Sequence, residues 1–185
     1  MLKQIYQETE QKMNKAIEAV SRELANIRTG KASTAMLDGI KVEYYGTPTA
    51  LKQIASVSAP DPKLLVVQPW EKTIIPDIVK AIQKADLGLN PMVESSMIRL
   101  PIPPLNEERR RDMVKLVKKF GEDGKVAIRN IRRDAIERLK KAEKDTKITE
   151  DDLHNGQKKV QDMTDGHTTR LDKMVEAKEA EVMEV

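Results

Sequence analysis

Six cations, Arg111, Lys115, Lys118, Lys125, Arg129 and Arg132, recur at steps of four, three, seven, four and three, with Glu122 in the gap. Such steps place side chains along one side of a helix. Arg109, Arg110 and Arg133 widen the row. Counted from a stripe begun by Met113, the cations fall on the opposite face. A continuous cationic edge on a rigid rod meets the electrostatic requirement for following a phosphate backbone. Arginine predominates at both ends of the row, and its planar fork binds phosphate bidentately and stacks on exposed bases. A basic face can also be merely solvated, or paired with acids on a neighbouring helix. The cluster Arg129-Asn130-Ile131-Arg132-Arg133 favours a ligand, because a solvated face has no need of three arginines so close. Their mutual repulsion is a small cost that a polyanion would offset.

Catalytic chemistry has less to work with. Glu107-Glu108 and Asp151-Asp152 are carboxylate pairs, but both stand at predicted helix starts, where the helix dipole explains them. His154 and His167 lie thirteen residues apart on one predicted helix, roughly 20 Å by rise, and cannot share a metal. With no cysteine, thiolate zinc sites, iron–sulfur ligation, disulfides and a cysteine nucleophile are all excluded. No Gly-rich phosphate loop, zinc spacing or EF-hand loop occurs. The expectation is no catalytic residue, no metal site and no cofactor. Trp70 and the pair Tyr44-Tyr45 are assigned to the core or rim of a small domain.

The elements that carry these residues are read from proline and periodicity. All nine prolines lie between Pro48 and Pro104, so two proline-free arms flank a proline-bearing middle. In the first arm Met13, Ile17, Val20, Leu24 and Ile27 form a helical stripe ending at Thr29-Gly30. The second arm begins at Pro103-Pro104, with Asn106 as N-cap. Met113, Val117, Phe120, Ala127, Ile131 and Ala135 hold its stripe, interrupted by Gly121 and Gly124. Continuous from Glu107 to Asp145, this helix would be roughly 58 Å long, which predicts an elongated molecule. Thr149 caps a third helix whose stripe runs through Leu153, Val160, Met163, Leu171, Met174 and Val182, weakened by Gly156 and Gly166. Three amphipathic helices that cannot bury their stripes alone predict a three-helix bundle.

The middle reads as mixed α/β. Ile40 to Tyr44 alternates as a strand closed by a turn at Gly46-Thr47-Pro48. Ile54 to Ala59 is a second strand, ended by Pro60-Asp61-Pro62. Leu64-Leu65-Val66-Val67 is an apolar run expected to be buried on both faces. Ile75 to Ala85 has helical spacing and is expected to end near Gly88; Ile98 to Ile102 alternates, with Pro101 marking an edge or strand end. The net charge of +3 conceals an asymmetry: residues 105–145 carry fourteen basic and nine acidic groups, residues 146–185 six and ten. No stretch approaches 18 apolar residues, and the opening Met1-Leu2-Lys3-Gln4-Ile5 does not begin a signal peptide, which predicts a soluble, cytoplasmic protein with no membrane partner.

Several segments carry a resemblance: Ile27-Arg28-Thr29-Gly30-Lys31-Ala32, Val42-Glu43-Tyr44-Tyr45-Gly46, Ala85-Asp86-Leu87-Gly88-Leu89-Asn90-Pro91, Pro103-Pro104-Leu105, Glu107-Glu108-Arg109-Arg110 and Arg129-Asn130-Ile131-Arg132-Arg133. In this order and spacing the chain resembles the bacterial ribosome recycling factor family over essentially its whole length. The resemblance implies an α+β, L-shaped architecture of two domains. Residues 1–30 and 105–185 would form an elongated three-helix bundle that binds rRNA, and residues 31–104 an inserted β/α/β sandwich domain. Gly30, Lys31, Pro103 and Pro104 would be the hinge. Arg110, Arg129, Arg132 and Arg133 match the rRNA-contacting set; Arg28, close to the domain junction, and the row members Lys118, Lys125 and Arg109 complete the candidates. The implied partners are the large ribosomal subunit with its rRNA and elongation factor G, which supplies GTP hydrolysis; the chain would be a monomer without enzymatic activity.

Lys31 stands where the family commonly has arginine and Asn106 where it has threonine; both keep the charge or the cap. The stretch Asp165-Gly166-His167-Thr168-Thr169 is less helix-favouring than is usual there, which predicts a weak point in the third helix. A second reading is a coiled-coil adaptor that binds another protein through its charged helix faces, leaving an exposed apolar stripe or self-associating.

Overall fold

The computed structural model describes residues 1–184. The chain divides into two compact units: Met1–Ile27 with everything from Arg110 onward, and Arg28–Arg109 between them. The first unit consists of three long helices, α1 (Leu2–Ala25), α4 (Glu107–Lys144, whose first turn belongs to the inserted unit) and α5 (Glu150–Met183). The second holds β1 (Lys41–Tyr44), β2 (Thr47–Ala50), a single turn α2 (Leu51–Ile54), β3 (Ala55–Asp61), β4 (Leu64–Pro69), α3 (Ile75–Lys84), β5 (Met92–Glu94) and β6 (Met97–Pro101). The architecture is α+β, a helical bundle and a β-sheet unit.

In α1 the buried residues are Ile5, Thr9, Met13, Ile17, Val20 and Leu24, a stripe at helical spacing. The helix ends at Ala25, four residues before the expected Thr29. Asn26 and Ile27 tighten the last turn by bonding back to Glu23 and Leu24. Asn26, the β-branched Ile27 and Thr29 are poor helix formers and favour leaving the helix there, and Gly30, at φ +77°, lies further along in the loop. Ile27 is nevertheless buried with the bundle core.

Helix α4 starts as its sequence predicts: Asn106 Oδ1 accepts the Arg109 N–H at 2.7 Å. Its buried face differs from the expected stripe. Val117, Gly121, Gly124, Ile128, Ala135, Leu139 and Ala142 are buried, whereas Met113, Phe120, Ala127 and Ile131 are only partly so and lie along one margin. The glycines do not interrupt the stripe; they are its points of closest approach. A Cβ on Gly124 would lie 2.7 Å from Val20 Cγ2 and 3.1 Å from Leu171 Cδ2, and one on Gly121 2.8 Å from Val175 Cγ2. Gly156 on α5 would meet Leu139 Cδ1 at 3.0 Å.

Helix α5 opens on a reciprocal cap. The Asp152 N–H donates to Thr149 Oγ1 (3.1 Å), and the Thr149 N–H donates to the Asp152 carboxylate (3.0 Å). That backbone bond, then the hydroxyl, hold the Asp152 carboxyl below the usual carboxylate range. The expected weak point at residues 165–169 is continuous helix. His167 explains part of this: its Nδ1–H donates to the Met163 carbonyl at 2.7 Å, and its Nε2 lies 3.0 Å from Asn14 Oδ1 on α1. The ring thus ties α5 to α1. The stripe is carried by Gly156, Val160, Thr164, Leu171 and Val182, with Leu153, Met163 and Met174 partly buried beside it.

In the inserted unit, β1 and β2 form an antiparallel hairpin in which Tyr44 pairs Thr47. Tyr45 (φ 49°) and Gly46 (φ 78°) make the two-residue turn. Strand β2 was read only as a turn, because Pro48 looked like a terminator; on the edge of a two-stranded hairpin its missing N–H costs no ladder bond. The second sheet is antiparallel in the order β3-β4-β6-β5. Strand β3 runs through Pro60 to Asp61, again on an edge. Strand β4 buries Leu65, Val67 and Pro69 but leaves Leu64 and Val66 half-covered, so one face rather than two is sealed. Pro101 is the last residue of β6, an internal strand. Helix α3 stops at Lys84, before the expected Ala85 and Gly88, and contacts both β6 and β1. Its Ile75, Ile78 and Ile82 join Val42, Leu65, Val67, Ile98 and Leu100 in one core.

Two substitutions separate the roles of the bundle glycines. Gly124→Ala drives a methyl into Val20 and Leu171; overpacking of about 1–3 kcal/mol outweighs a helix-propensity gain of about 1 kcal/mol, and Tm falls. Gly166 has nothing within 4 Å of its added Cβ, so Gly166→Ala raises stability by up to about 1 kcal/mol. Thermal unfolding of both variants checks the pair. For Asp152 the lowered native pKa means that the unfolded state takes up its proton first as pH falls. Its contribution is therefore present above the ordinary carboxyl range and lost as pH drops through the native value. Asp152→Asn should lower Tm near neutrality, with the gap from wild type closing in strong acid.

Candidate nucleic-acid interface

The cationic row lies on α4, and its position around the helix follows from the buried face. With Val117, Ala135 and their neighbours as the centre of that face, ~100° per residue places Arg132, Lys125, Lys118, Arg111, Arg129, Lys115 and Arg133 between about 60° and 160° from the centre. The row therefore runs from the flank of the core, at Arg132 and Lys125, round to the face opposite it, at Lys115 and Arg133. The expected geometry was measured from Met113, which sits on the other margin of the buried face. Arg110 falls near the buried centre and is partly covered, and Arg109 falls on the far margin, so neither widens the row. Arg28 stands elsewhere: within the inserted unit its Nη1 and Nη2 each approach within 3.5 Å of a Cβ built on Gly88.

Flanking the core divides the row into two populations. Lys125 and Arg132, nearest the seam, are engaged by α5. Lys125 Nζ pairs with Asp172 at 2.9 Å and with Glu122 at 3.7 Å; the hydrogen bond to Asp172 raises the lysine's pKa. Arg132 Nη1 donates to Gln161 Oε1 at 3.2 Å, and Gln161 Nε2 donates to Asp165 at 2.9 Å. Lys118, Arg129 and Arg133 are exposed and have no ion-pair or hydrogen-bond partner among the described residues. The solvated-face alternative, in which acids on the third helix neutralise the row, therefore holds for Lys125 and fails for Lys118, Arg129 and Arg133. Arg138, further along α4, is committed to Glu8 of α1 at 2.6 Å.

The partners on α5 were invisible in one helix's pattern. Gln161, Asp165 and Asp172 stand at steps of four and seven, a usable signal only once α5 is known to lie against this side of α4. The aromatic residues form a different group. The Tyr44 and Tyr45 hydroxyls both donate to the Glu71 carboxylate, at 2.8 and 3.1 Å, and this raises both phenol pKa values. Tyr44 is partly buried against the small core, while Tyr45 and Trp70 are exposed, so these residues belong to the rim.

A bundle with an uncommitted cationic edge, interrupted in sequence by a separately cored β-sheet unit, defines a two-unit α+β protein suited to a polyanionic partner. The family model described as ribosome recycling factor matches residues 20–183. The ribosome-recycling factor of Halalkalibacterium halodurans is 55% identical over 185 residues, covering 100% of both chains. That of Geobacillus kaustophilus is 52% identical with the same coverage. A solution structure of the ribosome recycling factor superposes with a TM-score of 0.79 at 41% identity, covering 100% of this chain and 98% of the other. A second structure, describing the T. thermophilus ribosome recycling factor and E. coli elongation factor G bound to the E. coli post-termination complex, matches at a TM-score of 0.68 and 44% identity over all of both chains. The chain belongs to the ribosome recycling factor family.

The two populations of the row should separate in stability measurements. Arg129→Ala and Arg133→Ala break no contact within the fold and should leave stability within about 0.5 kcal/mol of wild type. Lys125→Ala loses a half-exposed pair and should cost up to about 1 kcal/mol. Urea unfolding followed by far-ultraviolet circular dichroism measures all three.

Proposed function

We propose that this chain binds the post-termination ribosome and, with elongation factor G and GTP, separates the subunits and frees mRNA and tRNA for another round of translation. Family membership supports this, as does a relative of 44% identity described with elongation factor G on the post-termination complex. The observation that carries the molecular part is the outer edge of α4, where Lys118, Arg129 and Arg133 face solvent with no ion-pair or hydrogen-bond partner among the described residues. Grouped cations with no internal use suit rRNA phosphates. In this reading the bundle grips large-subunit rRNA through Arg110, Arg129, Arg132 and Arg133, with Lys118 and Lys125 beside them. Arg28, Arg109 and Arg110 all stand outside the α4 row; Arg110 is kept in the set by family resemblance, and Arg28 and Arg109 are the more peripheral candidates.

The chain catalyses no reaction of its own; GTP hydrolysis belongs to the translocase. It acts as a monomer in the cytoplasm, and no helix among the described residues is long and apolar enough to cross a membrane. The proposed hinge segments, Gly30-Lys31 and Pro103-Pro104, lie a few residues inside the inserted unit, whose limits are Arg28 and Arg109, with a left-handed glycine in one and stiff prolines in the other. A coiled-coil adaptor is disfavoured, because the apolar stripes of α1, α4 and α5 are spent on one another.

The decisive experiment is polysome breakdown with elongation factor G and GTP, with and without this protein; no increase in free subunits would falsify the proposal. Arg129→Ala and Arg133→Ala should each weaken large-subunit binding and reduce the slope of log K against log salt by about one. A salt-independent affinity would remove the phosphate-gripping edge.

A further inference from the structure

Arg132 differs from the other arginines of the row. It is partly buried in the seam between α4 and α5, and its Nε is sealed from solvent without a hydrogen-bond partner. An unpartnered buried donor is costly, and an apolar side chain of similar length would fill the seam without it. What is retained at that cost is the guanidinium head. Nη1 is committed to Gln161 Oε1 at 3.2 Å. Nη2 makes no hydrogen bond to a described residue, and it is not among the buried unpartnered atoms, so it reaches solvent. One nitrogen is sealed, one is held and one is open.

The holding group is itself fixed. Gln161 Nε2 donates to Asp165 Oδ1 at 2.9 Å, one turn further along α5. A carboxylate only accepts and a guanidinium only donates. The two neighbours therefore demand the same orientation of the amide, with NH2 toward Asp165 and oxygen toward Arg132. A rotated amide would lose both bonds. The relay Asp165–Gln161–Arg132 thus sets the direction of a cation on one helix from residues on another.

We infer that Gln161 is a positioning residue for Arg132, holding Nη1 so that the open edge of the guanidinium is presented to an rRNA phosphate in one fixed direction. This rests on the reading of the α4 edge as the rRNA-binding surface. Pre-organising a long cationic side chain removes part of the rotamer entropy otherwise lost on binding. It is worth most where the head must meet a particular group, and least for freely solvated cations such as Arg129 and Arg133. The electrostatic pull on Arg132 is small, because Gln161 is neutral and Asp165 stands behind it. A direct carboxylate partner, such as Asp172 is to Lys125, would hold the head but spend its charge.

The test is equilibrium binding to purified large ribosomal subunits over a series of KCl concentrations, using wild type, Arg132→Ala, Gln161→Met and the double variant. Methionine keeps the length, volume and helix propensity of glutamine, and melting by circular dichroism verifies the fold of each protein. Gln161→Met should weaken binding about three- to tenfold and, like Arg132→Ala, reduce the salt slope by about one. The double variant should bind no more weakly than Arg132→Ala alone. If Arg132→Ala weakens binding while Gln161→Met matches wild type, or if the two losses multiply, the positioning role is overturned. An unchanged salt slope in Gln161→Met would also overturn it, since a merely structural defect leaves the count of phosphate contacts alone. If Arg132→Ala itself binds normally, the rRNA-edge reading fails at this residue, a result separate from the other two. Should Gln161→Met unfold, Asp165→Ala, which releases the amide from the exposed end of the relay, should give a smaller loss of the same kind; wild-type binding by that variant would then overturn the inference.

Discussion

Three glycines let side chains of neighbouring helices reach the helix backbone inside the bundle. Gly124 receives Val20 and Leu171, Gly121 receives Val175, and Gly156 receives Leu139, each where a methyl group would collide. Side chains of α1 and α5 pack onto the α4 backbone at Gly121 and Gly124, and residues flanking that buried face stand beside the seams. Lys125 and Arg132 are consequently within reach of α5, while Arg129 and Arg133, turned further away, are not. The division into held and open cations thus follows from where each stands around α4 relative to the α5 seam.

The acidic excess of the third helix takes on a local meaning in this frame. Asp172 and Asp165 act on the inner edge of the row, one directly and one through Gln161. The outer edge keeps its full field. On the proposed reading a polyanion would meet the exposed, unpaired groups first and the held ones nearer the seam, so that long-range attraction and short-range register would fall to different residues of one helix.

Much of the fold was legible in the residues, and the failures share a cause. Caps depend on neighbours in sequence, so Asn106 and Thr149 could be read directly and both make the expected bonds. The stripe of α1 was legible for the same reason. Gly121 and Gly124 were misread as interruptions because their value lies in what a partner helix brings to them, which no single helix's pattern contains. That error shifted the centre of the buried face about 40° toward Met113 and hid the fact that Lys125 and Arg132 stand beside the core. In the inserted unit Leu64 to Val67 looked buried on both faces because short apolar runs do not disclose which face is covered. Strands β2 and β5 have only four and three residues, too few to show alternation. Within the candidate site the arginines were legible from spacing and family resemblance, whereas Gln161 carried no charge to draw notice.

The chain has one tryptophan, and it lies outside either core: Trp70 is 67% exposed, next to the Glu71 that gathers Tyr44 and Tyr45. Its indole already experiences water in the native state, so unfolding changes its surroundings little. The bundle contributes only Tyr6 and Phe120 as aromatic chromophores. Intrinsic fluorescence is therefore nearly blind to the loss of either core, while the far-ultraviolet signal is dominated by the three long helices. The two optical signals need not report the same event, and a disagreement between them would not by itself reveal an intermediate.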